Sequence, residues 1–248
     1  MFKYKKAEIV TYFLLIFFTA LFSALLLAKG YAGWFLFAAA AVVAPCAAML
    51  CVVFRRNYAL SFAERCLAEE NYEKLDEYAA KREKKYFFLK VYRIDSLLER
   101  GDAEAFEREY AAYTEKYRLP KEWLFRLEAY KAFCELLKNG AIAFRAVGRL
   151  ESEIAAEEVE KERGIVKIFG YYFKKDLERA AKQIGWYDRA GETRFIGFMY
   201  DFACCLVERA ANGAAAEAEA ALRKAAYNDF LKGGAERLNA VAALAQAE

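Results

Sequence analysis

Between Ile9 and Phe54 the chain carries two runs without a charged side chain, Ile9 to Ala28 and Gly30 to Phe54, parted by Lys29 alone. Crossing the roughly 30 Å hydrocarbon layer of a bilayer takes about 20 helical residues, and each run reaches that length. The pattern predicts a hairpin of two transmembrane helices, about residues 9–28 and 33–54, with everything past Arg55 carried behind it. A secretory signal peptide also begins with a basic segment, but its apolar core is shorter and an A-x-A site follows it; the first run fits neither condition.

Lys3, Lys5 and Lys6 precede the first run and Arg55 and Arg56 follow the second, while the turn Ala28-Lys29-Gly30-Tyr31-Ala32-Gly33 holds one cation. By the positive-inside rule both termini and the following domain are expected in the cytoplasm, the hairpin lying in the plasma (inner) membrane. Tyr12, Tyr31 and Trp34 suit the membrane–water interface. Ala20, Ala24 and Ala28, and Ala40, Ala44 and Ala48, recur at the four-residue spacing that lets helices approach closely in lipid. Pro45 is expected to kink the second helix. With no charge inside either span, the ion paths and proton relays that intramembrane charge marks are not indicated; the hairpin reads as an anchor.

The formal charge is +3, but residues 1–56 hold six Lys or Arg and one Glu, so the basic excess belongs to the membrane flanks. The remainder lacks the basic surface that phosphate backbones demand, and no nucleic-acid partner is expected. Histidine is absent, which removes the commonest general base and transition-metal ligand. No Gly-rich phosphate loop, nucleophile elbow or metal-spaced cluster occurs, so no cofactor, no metal and no enzyme activity are expected. The six cysteines form no CxxC pair and read as free thiols of a reducing cytosol. Cys204 and Cys205, on an apolar helix between Phe202 and Leu206, are the thiols that an enzyme would use.

From Asn57 onward the apolar spacing is helical and no run alternates as a strand does, so the expected fold class is all-α, with a soluble domain over 57–248. Tyr58, Phe62, Cys66 and Leu67 make a first face, and Tyr72, Leu75 and Ala79 a second. Phe87, Val91, Ile94 and Leu98 follow, closed by Gly101 and reopened by Asp102 as an N-cap. Phe106, Tyr110, Tyr113 and Tyr117 place four rings in one helical stripe. Pro120 opens a helix with Leu127, Tyr130, Cys134 and Leu137, ended by Asn139-Gly140. Val147, Leu150 and Ile154 predict another, which runs into a solvated charged stretch at 157–163. A single helix is expected to carry Phe169, Phe173, Leu177, Ala180 and Ile184. After a loop at 186–193 come Phe195, Met199, Phe202, Leu206 and Ala210, ended by Asn212-Gly213, then helices over about 214–227 and 236–247.

The helix-ending signals at Asn71, Gly101-Asp102, Asn139-Gly140 and Asn212-Gly213 lie about 31, 38 and 73 residues apart, near one or two periods of a helix-turn-helix repeat. Over roughly residues 58–230 the chain resembles the tetratricopeptide-repeat family. Asn71-Tyr72-Glu73 and Gly101-Asp102 match its intra-repeat turn, and Pro120 lies near its closing proline. The full Trp-Leu-Gly-Tyr and Ala-Phe-Ala series is missing, and Ile94, Phe106 and Tyr113 stand where the family uses small residues. The resemblance implies an α-solenoid that takes up a peptide or a partner's helix; an irregular helical bundle satisfies the same spacing.

The expected role is a membrane-anchored scaffold or adaptor for a protein or peptide partner; an accessory subunit of a larger membrane complex, docked through the hairpin, is the alternative. Candidate contacts are Lys81, Arg82, Lys84 and Lys85, for a carboxylate or anionic lipid headgroups, and Tyr110, Tyr113 and Tyr117, for a groove. A solvated face is the stronger expectation for the cations, and core for the tyrosines.

Overall fold

The computed structural model describes residues 6–30, 34–139, 159–190, 192–213 and 215–247. Among them every regular element is an α-helix and no strand occurs. The chain divides into two compact units, Met1–Ala63 and Glu64–Glu248.

In the first unit α1 spans Lys6–Ala28 and α2 spans Trp34–Ala68. Most described side chains of α1 are apolar and exposed, Phe13, Phe17, Phe18 and Phe22 among them, the last 62% exposed, while Ile16, Thr19 and Ser23 make one half-buried stripe. Its hydroxyls find partners inside the helix: Thr19 Oγ1 donates to the Leu15 carbonyl at 2.6 Å and Ser23 Oγ to the Thr19 carbonyl at 2.7 Å. A helix surrounded by hydrocarbon needs such internal satisfaction. Among the described residues one helical stretch is long and apolar enough to cross a membrane, Val43–Ala68, and the apolar stretch Phe13–Leu25 of α1 is shorter. The second helix does not end at Phe54 as expected, because Arg55, Arg56 and Asn57 break nothing; Glu70, with φ 57°, is the first residue to leave the right-handed region. α2 also runs through Pro45 uninterrupted. Residues 31–33 of the turn lie outside the described residues. Of the expected face, Cys66 and Leu67 are buried and Phe62 half-buried, but Tyr58 is 65% exposed, and Ala59, Leu60 and Ala63 are buried instead. Two of those residues are alanines, whose small apolar weight let the aromatic residue dominate the pattern.

The second unit holds α3 (Tyr72–Arg82), α4 (Phe87–Glu99), α5 (Ala103–Lys116) and α6 (Lys121–Asn139). It continues with α7 (Glu160–Phe173), α8 (Leu177–Trp186), α9 (Arg194–Asn212), α10 (Ala216–Ala225), α11 (Asp229–Glu236) and α12 (Leu238–Ala247). The helix of Val147, Leu150 and Ile154 falls outside the described residues. Two expectations are corrected. The helix meant to carry Phe169 through Ile184 is two helices, split where Lys175 turns left-handed (φ 59°) and Asp176 caps α8 by accepting from Arg179 N–H. A further short helix, α11, precedes the last one.

One turn recurs. At Glu70-Asn71, Gly101-Asp102 and Lys175-Asp176 a left-handed residue is followed by an Asx cap. Each cap donates its N–H back to the preceding helix, to Cys66, Leu97 and Tyr171 carbonyls at 2.8, 2.8 and 2.9 Å. This pairs a Schellman ending with a side-chain N-cap and joins the helices through three residues.

Sequential helices pack pairwise from α3 through α6 and from α7 through α12, and α6 meets α7. Contacts also join α9 to α4 and α11 to α6, which a strictly nearest-neighbour array does not contain. Gly234 of α11 comes so close to α6 that an added Cβ would meet Leu137 Cδ2 at 2.7 Å. Aromatic rings run through the core, Tyr130 stacking on Phe195 at 5.4 Å and Phe169 lying between Phe133 and Phe202.

Candidate functional site

The four cations Lys81, Arg82, Lys84 and Lys85 close α3 and fill the α3–α4 loop, all of them exposed. Lys81 and Arg82 lie in the last turn of α3, where cations suit the helix dipole. The Arg82 guanidinium lies 4.3 Å from the centre of the Tyr78 ring and Lys85 Nζ 5.5 Å from that of Tyr86.

The tyrosine stripe is divided. Tyr110 and Tyr113 are buried, the first donating its hydroxyl to Glu128 and the second to the Phe87 carbonyl at 3.1 Å. Burial drives both phenols upward, Tyr113 to about 12. Tyr117 alone of the three is open, 49% exposed, its ring 5.0 Å from that of Tyr113. The Tyr113–Phe87 bond brings the end of α5 to the start of α4, and Trp123 at the start of α6 packs on Phe87, Phe88 and Tyr92. The α3–α4 and α5–α6 loops therefore share one end of the second unit.

A second cluster was not foreseen. Arg126 of α6 donates through Nε to Asp95 Oδ2 of α4 at 2.6 Å, and its Nη1 lies 3.3 Å from Glu162 Oε1 of α7. The guanidinium sits between the rings of Tyr92 and Tyr130, 5.1 and 5.5 Å from their centres. Tyr92 in turn donates to Glu64 at 3.3 Å. One turn along α4, Glu99 accepts the Phe195 N–H at 3.1 Å and the Tyr227 hydroxyl at 2.8 Å. Glu99 thereby supplies an acceptor to the first turn of α9, whose amides have no helical partner.

Asp95, Glu99 and Glu162 are all buried, Asp95 to 1% exposure. Burial raises Asp95 to about 6 against the pull of Arg126, with Glu162 and Glu99 adding to the rise. Burial also raises Glu99, opposed by the Thr193 and Tyr227 hydroxyls and the Phe195 amide. Burial alone would draw Arg126 towards neutrality; Tyr130, Asp95, Glu162 and Tyr92 outweigh it and hold the guanidinium charged. Asp95 Oδ1 is buried with no hydrogen-bond partner among the described residues. The cluster ties α4, α6, α7 and α9 together.

Glu162 corrects the expectation that the charged stretch is solvated throughout. Its charge concealed its place on the buried face of α7, which Ile165, Val166 and Phe169 continue. The thiols are unbridged. Burial lifts Cys204 to about 11 and Cys205 to about 12, which keeps both protonated near neutral pH and poor as nucleophiles. Among the described residues no three His, Cys, Asp or Glu side chains converge as a metal site.

Comparison with protein-family models, curated proteins and solved structures finds no match. The functional reading rests on the residues themselves.

Proposed function

We propose that this chain is a membrane-anchored helical binding module, held by the apolar hairpin of residues 9–54 with both termini in the cytoplasm and presenting its second unit to a protein or peptide partner. The observation that carries the reading is α1, whose described large apolar side chains are exposed apart from the half-buried Ile16. A helix apolar all round belongs in a core or in lipid, and lipid satisfies the exposed phenylalanines at no cost. The Val43–Ala68 stretch supports the same reading. The turn shared by three helix pairs, together with the pairwise packing of sequential helices, supports a tetratricopeptide-like helical-repeat origin for the second unit.

Alkaline carbonate extraction of native membranes, followed by crosslinking and mass spectrometry, tests both halves of the proposal. Retention in the pellet with crosslinks from residues 64–248 to a recurring protein is the expected result. Crosslinks confined to residues 9–54 and other membrane subunits would favour an accessory subunit of a larger complex. Release into the supernatant would overturn the anchor.

A further inference from the structure

Exposed cations gather at one end of α3–α6. The end made by the α3–α4 and α5–α6 loops carries Lys81, Arg82, Lys84, Lys85, Lys116 and Arg118, each exposed. None of the six forms an ion pair among the described residues. The carboxylates interspersed with them are Glu83, Glu115 and Glu122, and Glu83 is taken by Arg93 Nη1 at 2.9 Å. Tyr117 stands between Lys116 and Arg118 with its ring half open, Lys116 Nζ lying 5.4 Å from its centre. At the other ends of α3, α4 and α5 the exposed charges are mixed, the carboxylates Glu69, Glu70, Glu73, Asp102 and Glu104 standing with the cations Arg65, Lys74 and Arg100.

We infer that the basic end is a docking surface for anionic phospholipid headgroups, with the six cations as phosphate contacts and Tyr117 as the interfacial ring. The inference rests on the membrane anchoring proposed above. Three observations select this occupant. Unpaired cations grouped around an amphipathic ring match an anionic leaflet, which attracts basic segments near its surface and interfacial aromatics at headgroup depth. The opposite ends of these helices hold more exposed carboxylates than cations, so an anionic surface attracts the basic end in preference to them. Lys81 follows Arg56 by only about 25 residues, all but three of them within α2 and α3, and attachment to a bilayer over so few residues keeps the headgroups at high effective concentration.

The test uses the full chain in lipid nanodiscs, either phosphatidylcholine alone or with about 30 mol % phosphatidylglycerol, an anionic surface of the kind basic segments seek. Amide hydrogen exchange is read over residues 81–88 and 114–120. Exchange several-fold slower in the anionic discs is expected, and the difference should vanish in about 0.5 M salt, where the Debye length shrinks to a few Å. The variant Lys81→Gln, Arg82→Gln, Lys84→Gln, Lys85→Gln should lose most of the protection while its α6 amides stay protected, which shows that the fold is kept. Equal exchange in both discs, or protection that survives in the variant, would overturn the inference.

If carbonate extraction releases the chain, so that anchoring itself fails, flotation of the same chain with vesicles reads the surface directly. Binding to phosphatidylglycerol vesicles and not to phosphatidylcholine, weakened about tenfold or more in the quadruple variant, upholds it; binding to neither overturns it.

Discussion

Replacing Arg126 by leucine leaves Asp95 and Glu162 buried with their cation gone, and a buried charge stripped of its partner costs about 3–5 kcal/mol. Thermal unfolding of the full chain in detergent should show this as a fall of many degrees, and an unchanged midpoint would remove Arg126 from its place at the centre of the cluster. Asp95 carries the sign of a pH effect. Its carboxyl titrates at 3.8 ordinarily and at about 6 when folded, so the folded chain holds a proton that the unfolded chain has given up. That contribution to stability is complete below about pH 4 and is lost as the pH climbs through about 6. Asp95→Asn should flatten this part of the stability profile, leaving a smaller slope of the same sign from Glu99. A slope undiminished in the variant would assign the effect elsewhere.

At the scale of the helix, the turns between elements store different amounts of strain. Lys175 occupies the left-handed region that favours glycine, so Lys175→Gly should stabilise the second unit by up to ~1 kcal/mol. Gly101→Ala should do the opposite. Its φ of 82° strains any Cβ, and that Cβ would meet Asn228 Cγ at 2.8 Å. Asn228 is itself the N-cap of α11, accepting from Leu231 N–H at 2.9 Å; strain and a disturbed cap together predict a loss of about 2 kcal/mol, measurable as a lowered midpoint in urea. The same turns explain what could be read in advance. Helix ends marked by glycine, at Gly101 and Gly213, stood out in the sequence, whereas the end at Lys175 did not, because a lysine gives no sign of a left-handed backbone. Asp176 was the only signal there, and it lies within an apolar period that continues unbroken on both sides. The Arg126 cluster was hidden for a different reason. Asp95, Arg126 and Glu162 come from three helices, and each reads locally as an ordinary surface charge. The basic loop at 81–85 was visible in the sequence; the chain segment at 116–118 that joins it was visible only as charge, until the Tyr113–Phe87 bond and the Trp123 packing brought the two loops to one end.

For the second unit as a whole, the contacts of α9 with α4 and of α11 with α6 tie late helices to early ones, and the Tyr227–Glu99 bond adds a polar tie between residues far apart in sequence. Ending the chain after Gly213 should therefore raise amide exchange in α4 and α6 as well as in α9. In a nearest-neighbour array the loss would stay beside the cut, and an exchange map disturbed only in α9 would favour that description. The unit also carries its own optical probe. Of the three tryptophans in the chain, Trp123 is enclosed by Phe87, Phe88 and Tyr92 beneath the basic loops, while Trp186 is 69% exposed. In a Trp34→Phe chain the emission should separate under iodide into a blue, shielded component and a red, quenchable one. The blue component comes from the ring directly under the basic end, so its wavelength and lifetime can report events at that end in an otherwise unlabelled protein.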